Sequence, residues 1–146
     1  MTSLRPAVLH LATHGCIDRE YPDAGCLFLA EAPGAPEREM LPFRRVLELD
    51  LEGVDLVVLS ACQSLSGRSG RAAGLEGLAW AFLQAGAAQV VASRTPVEEK
   101  ATADLMAVFY RHLQHLPAAE ALGHTRTECL ANGMEAKEVG AWSVLS

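Results

Sequence analysis

The chain has 146 residues, half of them hydrophobic, 5% aromatic and 21% charged, with a formal net charge of -6. That length and composition fit one packed domain and exclude a disordered chain. The acidic balance and scarce aromatics also run against nucleic-acid binding, which needs a basic footprint.

No apolar run approaches the roughly 20 residues of a membrane span, so no membrane partner is expected. The N-terminus, Met1-Thr-Ser-Leu-Arg-Pro, lacks the basic-then-apolar form of a signal peptide, and the location expected is cytoplasmic. Cys16, Cys26, Cys62 and Cys129 include no C-x-x-C pair. Without a secretion signal they are expected to be free thiols.

Taken in order, Ala7 to Thr13 is an apolar run that Pro6 opens and His14-Gly15 closes, and it reads as a central strand. Cys26 to Ala30 reads as a short strand between Pro22-Asp23-Ala24-Gly25 and Pro33-Gly34. Leu41 to Leu49 carries a short helix, with Phe43, Val46 and Leu47 at helical spacing. Asp55-Leu-Val-Val-Leu-Ser-Ala-Cys62 follows. Its uninterrupted apolar residues Leu56 to Leu59 suit a strand buried on both faces of a parallel sheet. From Gln63 to Gly74 the chain is polar and Gly-rich.

Leu75 to Ala85 is helical, with Leu75, Leu78, Ala79, Phe82 and Leu83 on one face and Gly86 as the stop. Ala88 to Ser93 is the next strand, and strand-helix-strand implies a right-handed parallel crossover. Thr95-Pro96-Val97-Glu98 has the form of a capping box opening a helix that runs to about Leu116. A second helix covers about Ala118 to Ala131, and Trp142 to Leu145 supplies a last strand. The pattern predicts a single α/β domain over 1–146, with an open, mostly parallel sheet flanked by helices.

The chemistry gathers at two strand exits. Open α/β sheets place their sites at the carboxyl ends of their strands, and His14 ends one buried run as Cys62 ends another. If those strands are neighbours, the pair is a minimal nucleophilic catalyst: an imidazole takes the thiol proton and the thiolate attacks a carbonyl carbon. Gly15, without a Cβ, lets its backbone N–H approach an oxyanion.

His10 reads as a hydrogen-bonded sheet residue, while His112 and His115 sit near a helix C-terminus, where a cationic ring meets the dipole favourably. Cys16 is a rival nucleophile by its nearness to His14. The spacing of His14, Cys16 and Cys26 fits no zinc pattern, so neither a metal nor a cofactor is expected.

Several blocks resemble a known family. His10-Leu-Ala-Thr-His-Gly15 and Asp55-Leu-Val-Val-Leu-Ser-Ala-Cys62 are similar to the CHAT domain, the caspase-like domain often joined to TPR repeats. So are Gly74-Leu-Glu-Gly-Leu-Ala-Trp-Ala-Phe-Leu-Gln-Ala-Gly-Ala87, Val90-Val-Ala-Ser93, Pro96-Val-Glu-Glu99 with Ala101-Thr102, and Phe109-Tyr110. The resemblance implies a caspase-like fold and cysteine endopeptidase activity on a protein or peptide substrate. It makes His14 the catalytic histidine, Cys62 the nucleophile, and the N–H groups of Gly15 and Cys62 the oxyanion hole. It also implies a bacterial stress, defence or signalling setting and an activating sensor of TPR type.

Relative to the family the chain is expected to be its C-terminal catalytic half, without the first strands of the sheet. Arg94-Thr95 stands where Leu-Trp is usual, and Cys26 where a serine is common. An uncovered sheet edge is a pairing liability. The alternative to an endopeptidase is therefore a catalytically inactive CHAT-like fragment that serves as an interaction module by pairing that edge with another protein. A thiol-dependent enzyme acting on a small molecule is a third reading.

Overall fold

The computed structural model describes residues 7–16, 26–29, 33–34, 39–60, 62–63 and 73–146, with the backbone alone at 14–16, 62–63 and 73–76. The Gly-rich stretch at 64–72, the turn at 22–25 and the expected strand end at Ala30 lie outside the described residues.

The central sheet is built on β5 (Leu56–Leu59), all four of whose residues are buried. Side chains alternate across a strand, so Leu56 and Val58 enter one core while Val57 and Leu59 enter another. That is why the run carries no polar residue. β1 (Val8–Leu11) and β7 (Val90–Ser93) flank β5 and are parallel to it. β8 (Trp142–Leu145) closes the far side antiparallel to β7, giving the order β1-β5-β7-β8. This is the open, mostly parallel α/β sheet that the sequence predicts.

One face is covered by α1 (Phe43–Leu47) and α2 (Ala73–Gln84), which supply Val46, Leu78, Ala79 and Phe82. The other carries α3 (Glu99–Leu113), α4 (Ala118–Ala131) and α5 (Ala136–Gly140), whose Leu105, Phe109, Leu122 and Val139 pack with Trp142. α2 and α4 end alike. Gly86 N–H bonds the Leu83 carbonyl and Ala87 N–H that of Phe82; Gly133 and Met134 repeat the pattern on Leu130 and Cys129. Both glycines hold positive φ, as this paired terminus requires.

Three sequence expectations change. The run Ala7 to Thr13, expected as a central strand, supplies the part-exposed edge strand β1. The segment from Leu41 does not start as helix: β4 (Met40–Pro42) comes first and pairs antiparallel with β3 (Cys26–Phe28). A residue before proline is pushed to extended backbone, and Leu41 obeys. The capping box at Thr95 does not form either. The helix begins at Glu99, and Glu98 N–H is taken by the Glu138 carboxylate of α5 at 3.0 Å. A tertiary cap replaces the local one.

Candidate functional site

The paired strands β1 and β5 do not stop at Leu11 and Leu59. The first resumes as β2 (His14–Cys16) and the second as β6 (Cys62–Gln63), again parallel to each other. In this resumed pair His14 is the register partner of Cys62, and Gly15 that of Gln63. Val8 pairs with Leu56 and His14 with Cys62 at the same offset of 48 residues, so neither strand slips across the interruption. Parallel neighbours lie about 4.8 Å apart. The two residues proposed from separate strand exits are thus adjacent in the backbone register.

On its other side β2 pairs antiparallel with β3, which places Gly15 opposite Leu27 and Cys16 opposite Cys26. The second sheet is therefore β4-β3-β2-β6.

Side chains bridge the interruption. Ser60 N–H makes the last ladder bond, to the Leu11 carbonyl at 3.1 Å. Beyond it, Ser60 Oγ lies 2.6 Å from His10 Nε2, and His10 Nδ1 lies 2.6 Å from the Tyr110 hydroxyl on α3. The His10 and Tyr110 rings stack at 5.5 Å. Thr13 Oγ1 donates to the Phe28 carbonyl and ties β3 to the same point. His10 is exposed as a residue, yet partial burial of its ring pushes its pKa below the ordinary histidine value. A neutral imidazole offers one donor and one acceptor, and hydroxyls can satisfy either. The expectation of a hydrogen-bonded sheet histidine holds, and the residue does more than expected: it links β1, β5 and α3.

Around this link is a cavity of about 350 Å³ between the carboxyl ends of β1 and β5 and the first half of α3, lined by His10, Ala12, Ser60, Glu99, Thr102 and Met106 among others. Thr102 is 8% exposed, and its hydroxyl has no hydrogen-bond partner among the described residues.

The sequence reading gave no site role to Ser60, Thr102 or Tyr110, although all three lie in CHAT-like blocks. Thr102, Met106 and Tyr110 follow one another at steps of four, so they form a stripe beside the apolar row Ala101, Leu105, Phe109 and Leu113. That second stripe was the available signal.

The cysteines divide. Cys26 is disulfide-bonded, which corrects the expectation of four free thiols. In the backbone register Cys26 stands opposite Cys16 of β2, a pairing that local spacing did not reveal. Cys129 is free but 2% exposed in the α4 core, and burial pushes its thiol pKa up. His112 does not act on the site; its Nε2 is 2.8 Å from Glu128, which Arg111 and His112 hold below the usual carboxylate range. His124 has its ring 5.5 Å from that of His112. No group of three metal-ligating side chains occurs among the described residues.

A family model described as CHAT domain matches residues 1–144. The chain belongs to the CHAT domain family. No curated protein matches it. The two CHAT blocks that carry His14 and Cys62 are the two interrupted strands just described, and membership supports the caspase-like peptidase framing. No helix among the described residues of this CHAT domain is long and apolar enough to cross a membrane.

Proposed function

We propose that this CHAT domain is a caspase-like cysteine endopeptidase in which Cys62 is the nucleophile and His14 the general base and acid. The observation that supports the reading most is the parallel register of β2 and β6, with His14 opposite Cys62. His14 takes the thiol proton, and the Cys62 thiolate adds to the scissile carbonyl carbon. The oxyanion is held by the N–H groups of Gly15 and Cys62. The tetrahedral adduct collapses as the C–N bond breaks, and the His14 imidazolium protonates the departing amine. Water, deprotonated by His14, then attacks the thioester and releases the carboxylic acid and the free thiol.

The substrate is a protein or peptide, the setting is bacterial signalling, stress or defence, and a TPR-type sensor is the proposed activator. A cytoplasmic location belongs to the same reading. The disulfide at Cys26 is a feature that oxidising compartments favour. The test is covalent labelling by a peptide electrophile. Wild type is expected to be modified at Cys62, and both Cys62→Ala and His14→Ala to lose that label.

One observation favours the interaction-module alternative. β1 stands at one end of its sheet, bonded to β5 alone among the described strands, and Val8 is exposed. An open edge invites pairing with another chain. Mass in solution tests it: a monomer at tens of micromolar contradicts pairing between copies, whereas a dimer lost in Val8→Lys supports it.

A further inference from the structure

The cavity beside the His10–Ser60–Tyr110 link has no part in the chemistry above, yet it is built for a ligand. Its volume, about 350 Å³, lies in the range of small-molecule and side-chain pockets, about 300–1,000 Å³. The unpartnered Thr102 hydroxyl is more than nine-tenths buried on its wall. Buried polar groups in native proteins nearly always have partners, so an orphan at a cavity wall points to a group that arrives from outside.

The lining also states the sign of that group. Among the described residues, Glu99 supplies a carboxylate with no ion-pair partner, and no lysine or arginine lines the cavity. Lys100, next in sequence, is committed to Asp104 at 2.7 Å and lines a different groove. At the start of α3 the Glu98 N–H is already taken by the Glu138 carboxylate. Acceptors remain: the Glu99 carboxylate, the Thr102 hydroxyl, and a lone pair on Ser60 Oγ beyond its bond to His10.

The position relates it to the cleaved bond. Ser60 precedes Cys62 by two residues, and two residues span at most about 7 Å. The cavity therefore lies within reach of a long side chain on the residue attacked. We propose that this cavity receives the side chain of the residue whose carbonyl Cys62 attacks, and that Glu99 and Thr102 select a long cationic side chain, arginine or lysine. The apolar Met106 and Ala12 pack its methylene stem. The inference rests on the endopeptidase reading.

The experiment uses the whole chain and three fluorogenic peptide amides that differ only at the cleaved residue: arginine, norleucine or aspartate. Arginine is expected to exceed norleucine in kcat/KM by about tenfold or more, and Glu99→Gln and Thr102→Val each to narrow that ratio. Thr102→Val keeps the shape and removes the orphan hydroxyl, so its Tm is expected to be no lower than that of wild type. Equal cleavage of the arginine and norleucine peptides, preference for aspartate, or an unchanged ratio in both variants overturns the pocket. If no peptide is cleaved in the absence of the activator, the catalytic reading is judged by the label at Cys62, and the pocket by calorimetric binding of N-acetyl-arginine methylamide against the norleucine compound. Arginine-selective binding that Thr102→Val weakens sustains it. Equal binding, or none, overturns it.

Discussion

At the scale of single residues, His10 is the group whose environment says most. Its two ring nitrogens are each 2.6 Å from a hydroxyl, on Ser60 and on Tyr110, and partial burial lowers its pKa. The folded chain therefore binds a proton here less readily than the unfolded chain does. Its contribution to stability is complete above the ordinary value of 6.5 and is lost as the pH falls from there through the lowered folded value. His10→Gln is expected to lower stability by about 1–2 kcal/mol at neutral pH, for two hydrogen bonds lost. It is also expected to flatten the part of the acid slope just below pH 6.5, read from urea midpoints in parallel with wild type. Equal slopes would show that His10 does not titrate differently in the fold. The Tyr110 half of this link is 100 residues away in sequence. No local pattern could have announced it, whereas the hydrogen-bonded role of His10 was legible from its place within a strand.

At the scale of elements, what could be read from the sequence was whatever local chemistry alone decides. β5 and β8 match their expected bounds: an apolar run buried on both faces marks the first, and the second follows a glycine and a turn. α4 matches as well, between Pro117 and Asn132-Gly133. The failures occur where a tertiary partner outweighs a local preference. Glu138 displaces the Thr95 capping box, β3 draws residues 40–42 into a strand, and α5 is too short to leave a periodic trace.

Gly86 shows the two levels agreeing. Its φ of +109 suits glycine, and a Cβ there would meet Glu52 N at 2.8 Å, because the end of α2 packs on the turn before β5. Both the backbone strain and the clash oppose a side chain. Gly86→Ala is expected to cost about 2–4 kcal/mol, measured by chemical unfolding. By contrast Gly133→Ala, where φ is +88 but the space is open, is expected to cost about 1–2 kcal/mol. Equal losses at the two positions would show that the contact with Glu52 contributes nothing.

At the scale of the molecule, one sheet faces two cores, and its edge strand β1 and the neighbouring β5 break and resume together. The paired break keeps the register while opening a second, smaller sheet, in which His14 and Cys62 are neighbours. The sequence carried half of this. Two strand exits with complementary chemistry were visible, and so was the order of the CHAT blocks. The resumption as β2 and β6 was not visible, since each is only two or three residues long, and nor was the antiparallel β2–β3 pairing beside Cys26.

We propose that this register serves a Cys-His dyad. Its most direct measurement is mass-spectrometric mapping after brief exposure of the native protein to a peptide acyloxymethyl ketone. Modification at Cys62, abolished in Cys62→Ala, reduced by about 100-fold or more in His14→Ala, and absent from buried Cys129 is the predicted result. Labelling of Cys62 at the same rate with and without His14 would contradict it.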